Sequence, residues 1–148
     1  MTNLREMLKR HEGYKRKPYF CTAGKKTIGV GWNMDANRLP DDIASFLRLH
    51  GYITDEMIER LLDISIETAT NHCRDIYSGF DDFSENRRFA LIDFVFNVGV
   101  STALKFKNTN LAISAGRWGD AARGLRNSLY YKQVGKRGEE IAGMIEEG

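Results

Sequence analysis

Apolar residues recur at helical spacing along most of this chain, and the first segment that shows it is at the N-terminus. Asn3 followed by Glu6 is typical of a capping box at the start of a helix. The residues that then share one helical face are Leu4, Met7, Leu8 and His11. The pattern breaks at Gly13, so we predict a first helix over residues 3–11.

The spacing is no longer helical between Tyr14 and Trp32. Thr22-Ala23-Gly24 is typical of a turn, and the run from Thr27 to Trp32 predicts a strand. Together they indicate a small antiparallel hairpin or sheet. Asp41 or Asp42 is then expected to cap a short helix that ends near Gly51.

A long helix is predicted from Asp55 to about Tyr77. Thr54 is a favourable N-cap for it, and Ile53 and Ile58 could form a hydrophobic staple across its first turn. The length of this helix is sufficient to connect two lobes.

A helix capped by Ser84 and ended by Gly99 is apolar nearly all round between Phe89 and Phe96. Such a helix is usually buried at the centre of a domain. Shorter helices are predicted after Asn108, around Trp118 to Leu125, and from about Lys136 to Glu146.

These elements predict an α+β fold in a single domain over residues 1–148. We expect a small N-terminal sheet lobe at about residues 13–53 and a connecting helix at about 55–77. The larger helical lobe is expected at about residues 80–148, joined by the helix at 3–11.

Composition and charge narrow the possible functions. The chain has 148 residues, of which 42% are hydrophobic and 28% charged, as in ordinary globular proteins. The net charge is +2, but residues 1–38 hold nine Lys or Arg against three acids, a local +6. This basic segment is either a solvated surface or a face that attracts a polyanion, such as nucleic acid or the bacterial cell wall.

The sequence contains no apolar run of the roughly 20 residues that a membrane span needs, and no signal-peptide-like stretch between Met1 and Arg10. The two cysteines, Cys21 and Cys73, are too few for a disulfide scaffold. His11-Glu12 does not open a zinc-binding His-Glu-x-x-His motif, because position 15 is Lys. We therefore expect no metal and no cofactor.

Glu12 is the first candidate for chemistry. It ends the first helix, where a carboxylate is slightly unfavourable because the helix dipole is negative there. The simplest interpretation is a solvated carboxylate at a helix end. The alternative is an acid held at the wall of a cleft, where it can donate a proton.

The residues after Glu12 carry a resemblance to a known family. Eight residues separate Glu12 from Cys21, five separate Cys21 from Thr27, and Thr27-Ile28-Gly29-Val30-Gly31 follows. This arrangement resembles the catalytic motif of the phage lysozymes, the endolysins of glycoside hydrolase type. Phe96-Asn97-Val98-Gly99 and the segment from Tyr130 to Arg137 also resemble segments of that family.

The resemblance implies a lysozyme-like fold, with a cleft between two lobes joined by the long helix. It implies an endolysin that hydrolyses the β-1,4 bond between N-acetylmuramic acid and N-acetylglucosamine in peptidoglycan and lyses the host. Glu12 would be the general acid, and Cys21 and Thr27 would place water or stabilise the transition state. The residues expected to bind substrate are Asn97, Tyr19, Trp32 and Arg137, of which Arg137 is expected to approach Glu12.

Cys21 departs from family members that have Asp at this position. A thiolate could attack the sugar and give retention, whereas a neutral thiol could only help to place water for inversion by Glu12 and Thr27. The alternative functions are a lytic transglycosylase, a non-catalytic wall-binding module, and a nucleic-acid-binding domain, for which no recognition motif is present. We expect a monomer that binds peptidoglycan glycan strands and no nucleic acid. It would be made in the host cytoplasm and act on the wall after release.

Overall fold

The computed structural model describes residues 3–148, and these form nine α-helices, three β-strands and one 3₁₀ turn. The strands are β1 (Lys15–Phe20), β2 (Lys26–Gly29) and β3 (Trp32–Asn33). The helices are α1 (Leu4–Glu12), α2 (Asp41–His50), α3 (Asp55–Ile76), α4 (Glu85–Val98), α5 (Val100–Leu104), α6 (Lys107–Ser114), α7 (Trp118–Arg126), α8 (Leu129–Val134) and α9 (Lys136–Glu147). The 3₁₀ turn is Phe80–Asp82. The α+β prediction is confirmed.

The described residues fall into two compact units, residues 3–65 and residues 66–148. The first unit contains α1, the sheet, α2 and the first half of α3, and the second contains the remaining helices. Helix α1 thus belongs to the same unit as the sheet, whereas the sequence interpretation grouped residues 3–11 with the helical lobe. The grouping of the chain into lobes of one domain stays a prediction.

The sheet of the first unit is antiparallel, with strand order β1-β2-β3. Tyr19 pairs with Thr27 and Phe20 with Lys26. The connecting turn is closed by the Gly24 N–H, which donates to the Cys21 carbonyl at 2.8 Å. The predicted hairpin with a turn at residues 22–24 is therefore confirmed.

The predicted continuous strand from Thr27 to Trp32 is wrong. Strand β2 ends at Gly29 and β3 begins at Trp32. The break has a backbone cause, because Gly29 and Gly31 both have a φ of +66°. That left-handed conformation turns the chain back on itself, so that Trp32 pairs with Ile28 in the preceding strand.

Local capping explains where α3 begins. The Thr54 hydroxyl accepts a hydrogen bond from the Met57 N–H at 3.2 Å, as predicted. Ile53 and Ile58 are both buried, on either side of the cap. The predicted span from Asp55 to about Tyr77 is confirmed to within one residue.

The expected cap of α2 is wrong. Pro40 occupies the N-cap position, with a φ of −52° and no side-chain capping bond. Asp41 and Asp42 lie inside the first turn, where carboxylates interact favourably with the helix dipole. Asp42 pairs with Arg60 of α3 at 2.7 Å, which ties the two helices together.

The first helix docks onto the beginning of α3 through charged pairs. Lys9 pairs with Glu59 at 2.6 Å, and Arg5 pairs with both Glu59 and Asp63. The Lys9 ammonium is the largest cause of a lowered pKa at Glu59. These contacts fix the helix that ends in Glu12.

In the second unit, α4 is the central helix. Ser84 caps it by accepting from the Arg87 N–H at 3.3 Å, and every residue from Ala90 to Val95 is buried. Helix α4 packs against α5 and α9, and α7 packs against α6 and α9. The predicted buried helix is confirmed, whereas the five-residue helix α5 directly after Gly99 was not predicted.

Candidate active site

Glu12 is the last residue of α1. Gly13 ends the helix with a φ of +88° and donates its N–H to the Lys9 carbonyl at 2.9 Å. The Glu12 side chain is half-buried and lies against the backbone of Gly31. The helix end and the β2–β3 turn therefore together hold this carboxyl group.

Tyr19 lies beside Glu12 and Cys21. Its hydroxyl donates to the Glu12 carbonyl oxygen at 3.4 Å. Burial raises the pKa of Tyr19, and the negative charges of Glu12 and Cys21 contribute to the same effect. Since Tyr19 also pairs with Thr27 across the sheet, the first unit brings all four of these residues together.

Cys21 is a free, half-buried thiol at the start of the hairpin turn. The pKa of Cys21 is lowered, chiefly because the Lys25 backbone N–H donates to its sulfur, with a further contribution from the Ala23 N–H. Hydrogen bonds of this kind favour the thiolate. Cys21 therefore has more thiolate character near neutral pH than an ordinary cysteine.

Thr27 is only 4% exposed. Its hydroxyl donates to the Lys25 carbonyl at 2.8 Å and is also within hydrogen-bonding reach of the Cys21 sulfur. A hydroxyl has one proton, so it cannot donate to both groups at once. The short contact with Lys25 takes that proton and leaves the oxygen lone pairs of Thr27 available as acceptors.

Trp32 packs inside the first unit. It is 7% exposed, and its indole N–H donates to the Asn37 carbonyl at 3.2 Å. This arrangement gives the residue a part in holding the β3 segment. A contact between Trp32 and substrate stays a prediction.

Asn97, at the C-terminal end of α4, lines a pocket of the second unit with a volume of about 360 Å³. The pocket is lined mostly by apolar side chains, among them Phe106, and by Tyr130. The Asn97 Oδ1 atom and the Tyr130 hydroxyl are buried and have no hydrogen-bond partner within residues 3–148. Buried polar atoms without partners are uncommon. Because both atoms are closed off from solvent, they do not lie on the open surface of the pocket.

Arg137 is held by a residue that the sequence analysis did not identify. Its Nε donates to Asp93 Oδ1 at 2.9 Å, with Asp93 completely buried and the Arg137 side chain 10% exposed. Asp93 lies one helical turn before Asn97 on α4, and its charge contributes, after burial, to the raised pKa of Tyr130. The sequence does contain a sign of this pair. Asp93 is the one charged residue within the apolar run from Phe89 to Phe96, and a buried charge needs a partner.

The predicted site residues thus form two groups. Glu12, Tyr19, Cys21 and Thr27 are neighbours in the first unit, and Asn97 and Arg137 belong to the second. The expectations that Asn97 faces the same substrate as Glu12, and that Arg137 approaches Glu12, stay predictions.

Within residues 3–148, no group of three or more His, Cys, Asp or Glu side chains is arranged to hold a metal ion. In the same part of the chain, every helix is too short or too polar to cross a membrane.

Comparison with known proteins connects this arrangement to a family. The family model for phage lysozyme matches residues 9–146. The chain is 29% identical over 163 residues to probable T4-type lysozyme 2 of Dictyostelium discoideum, and 29% identical over 168 residues to probable T4-type lysozyme 1 of the same organism. Both alignments cover 100% of this chain and 96% of the relative. It is also 29% identical over 157 residues to the pre-baseplate central spike protein Gp5 of Enterobacteria phage T4, covering 97% of this chain and 27% of that protein.

The match to the family model spans nearly the whole sequence, including Glu12, Cys21, Thr27 and Asn97. The resemblance seen in the spacing of the first three residues is therefore confirmed. This chain belongs to the phage lysozyme family and is a glycoside hydrolase of the lysozyme type.

Proposed function

We propose that this protein hydrolyses the β-1,4 bond between N-acetylmuramic acid and N-acetylglucosamine in peptidoglycan, with Glu12 as general acid. Membership of the phage lysozyme family supports a muramidase-like, peptidoglycan-lytic function. The observation that carries the finer proposal is the grouping of the Glu12 carboxyl group with Tyr19, Cys21 and Thr27 in one compact unit.

Hydrolysis of this bond passes through an oxocarbenium-like transition state, in which the leaving oxygen must receive a proton. Glu12 is the proposed donor. The helix end and the backbone of Gly31 hold its carboxyl group, so its direction is set by the fold and not by a flexible loop. A positioned general acid contributes about 10²–10⁴-fold to such a reaction.

Thr27 is proposed to place the attacking water. Because its proton is donated to the Lys25 carbonyl, its oxygen can accept a hydrogen bond from the water. That bond would direct a water lone pair towards the anomeric carbon. As it attacks, the water would release its surplus proton to solvent. The Cys21 thiolate would stabilise the positive charge that develops on the sugar, and the product would have inverted configuration. A product with retained anomeric configuration would instead indicate that the Cys21 sulfur attacks the sugar.

Asn97 and Tyr130 are proposed to bind an amide-bearing part of the substrate. Both residues line the same pocket, and an amide and a hydroxyl side chain are groups that can exchange hydrogen bonds with an N-acetyl or peptide amide. Arg137, held by Asp93, would attract a carboxylate of the same polymer. Tyr19 and Trp32 are retained as proposed substrate contacts in the first unit.

The cellular role is part of the same proposal. The protein would act as a monomer on the cell wall after release from the host cytoplasm, and would thereby lyse the host.

The test compares Glu12→Gln with Glu6→Gln, an exposed glutamate of the same helix. The rate at which a wall suspension clears should fall at least a hundredfold for Glu12→Gln and stay at the parent's value for Glu6→Gln. Both variants should keep the melting temperature of the parent. Masses of the released muropeptides should show one added water, whereas a transglycosylase would give anhydro products. A folded Glu12→Gln protein that clears walls normally would remove Glu12 from its proposed role.

A further inference from the structure

Gly31 occupies the turn between β2 and β3, directly against Glu12. A Cβ atom added to Gly31 would lie 3.0 Å from the carboxyl carbon and from Oε1 of Glu12, and 3.1 Å from its Cβ. Such separations are tighter than nearly all Cβ contacts in proteins, so the Glu12 side chain would have to give way by a few tenths of an ångström. The space that a side chain at position 31 would need is thus filled by the Glu12 side chain.

The backbone alone does not account for this arrangement. Gly29 has the same φ of +66°, yet a Cβ atom there would meet Ile58 at 3.6 Å, an ordinary contact distance. At Gly51, with a φ of +78°, an added Cβ would meet no atom within 4 Å among residues 3–148, its own chain neighbours apart. All three positions favour glycine for conformational reasons. Of these three glycines, only Gly31 has the Glu12 carboxyl group in the place of a side chain.

We propose that Gly31 is a positioning residue for Glu12, because its missing side chain leaves the space in which the proton-donating carboxyl group lies. This inference rests on the proposed role of Glu12. The carboxyl group of Glu12 can move away by rotation, whereas its Cβ moves only with the backbone of the helix end, so a Cβ at position 31 would shift this residue by a few tenths of an ångström. A catalytic group must be held within about 0.5 Å of its productive geometry, so a shift of this kind lowers the rate.

A substitution at Gly31 has two effects that need to be separated. Any L-residue with a side chain is strained at this φ, and its Cβ also displaces Glu12. Asn tolerates positive φ better than Ala does, so it keeps the displacement while relieving much of the strain. Gly29 provides the matched position, because its φ is the same and its added Cβ is accommodated.

The experiment compares Gly31→Ala and Gly31→Asn with Gly29→Ala and Gly29→Asn. We expect similar falls in melting temperature for the two Ala variants and smaller falls for the two Asn variants. The kcat/KM for wall glycan should fall at least tenfold further for the Gly31 variants than for their Gly29 partners, mainly through kcat.

The inference is overturned if the kcat of Gly31→Asn lies within twofold of the kcat of Gly29→Asn. If Glu12→Gln is inactive in the same assay, the proposed function still stands. An active Glu12→Gln protein overturns the proposed function itself. Should Gly31→Ala fail to fold, the double variant Glu12→Gly/Gly31→Ala decides the question, because it removes both the carboxyl group and the Cβ of Glu12. The strain at position 31 is common to both proteins, so Gly31→Ala should lower the melting temperature less in the Glu12→Gly background than in the parent, and equal falls overturn the inference.

Discussion

The side chain of Asp93 is completely buried in the second unit, where its partner is Arg137. Asp93→Ala removes the carboxylate to which the largely buried Arg137 guanidinium donates, and breaking a buried ion pair is strongly destabilising. We therefore predict that Asp93→Ala lowers the free energy of unfolding by about 3–5 kcal/mol. Urea denaturation measures this change.

The matched control is Asp81→Ala, which breaks an ion pair with Arg74 whose side chains are 66% and 51% exposed. Exposed pairs contribute roughly 0–1 kcal/mol, so this variant should unfold almost like the parent. Equal stability losses for Asp81→Ala and Asp93→Ala would show that the buried pair has no special structural role.

The two thiols should react differently with iodoacetamide. Cys21 is partly accessible and its pKa is lowered by backbone N–H groups, whereas Cys73 is buried and its pKa is raised by burial. A lowered pKa preserves the thiolate at lower pH, so the alkylation rate of Cys21 should reach half its maximum at a lower pH than that of a cysteine in an unstructured peptide. Peptide mapping by mass spectrometry between pH 6 and pH 9 measures both rates. A faster reaction at Cys73 would contradict the assignment.

Substitutions at Cys21 extend the same prediction to catalysis. Cys21→Asp should keep activity, because it restores a negative charge, whereas Cys21→Ala should lose much of it. If Cys21→Ala clears walls as well as the parent does, then Glu12 and Thr27 are sufficient for the reaction.

At the scale of elements, helices α6 and α7 approach each other closely at Gly124. A Cβ atom added there would lie 2.4 Å from the Thr109 Oγ1 atom. Replacing a helical glycine by Ala normally stabilises a helix by about 0.5–1 kcal/mol, but overpacking costs about 1–3 kcal/mol. We predict that Gly124→Ala destabilises the protein by about 1 kcal/mol, as measured by urea denaturation.

Gly143 of α9 is the control, because in the described part of the chain nothing beyond the local helix backbone lies within 4 Å of an added Cβ. Gly143→Ala should stabilise the protein by about 0.5–1 kcal/mol. Combining Thr109→Ala with Gly124→Ala should recover part of the loss, since the conflicting hydroxyl is then absent. A stabilising Gly124→Ala would show that Thr109 turns away at little cost.

Elements governed by neighbouring residues could be predicted from the sequence. The caps at Asn3, Thr54 and Ser84 each bond a backbone N–H two or three residues away, so the local pattern contains the whole interaction. The break in the predicted strand was missed because a glycine in a strand pattern is compatible with either an extended or a left-handed conformation.

The site was predictable to a different extent. Glu12, Cys21 and Thr27 were found through their spacing, which is a property of the sequence. The bond between Asp93 and Arg137 joins residues 44 positions apart, and the contact of Glu12 with Gly31 depends on how the sheet folds back on α1. Such contacts follow from tertiary packing, and no short sequence pattern contains them.

For the whole molecule, charge distribution predicts the dependence of activity on salt. Residues 1–38 carry a local charge of +6, and Lys15 and Lys17 of β1 are exposed. Bacterial walls are acidic, and salt screens attraction beyond about 8 Å at physiological ionic strength. We predict that wall clearing falls steeply with added sodium chloride, as measured by turbidity.

The double variant Lys15→Gln/Lys17→Gln should show a weaker dependence on salt. Lys105→Gln/Lys107→Gln, which removes two exposed charges from the second unit, should behave like the parent. Identical salt profiles for the parent and both double variants would show that the basic face of the first unit is an ordinary solvated surface.

The burial of Cys73 within α3 also has a consequence for how the opening of the second unit can be observed. Its sulfur cannot meet a reagent until the surrounding helices separate, so each alkylation event at Cys73 records one opening of that unit. When reclosing is faster than the reaction, the labelling rate relative to that of an unstructured thiol equals the fraction of open molecules. Each further tenfold decrease in the labelling rate of Cys73 then corresponds to an increase of about 1.4 kcal/mol in the free energy of opening.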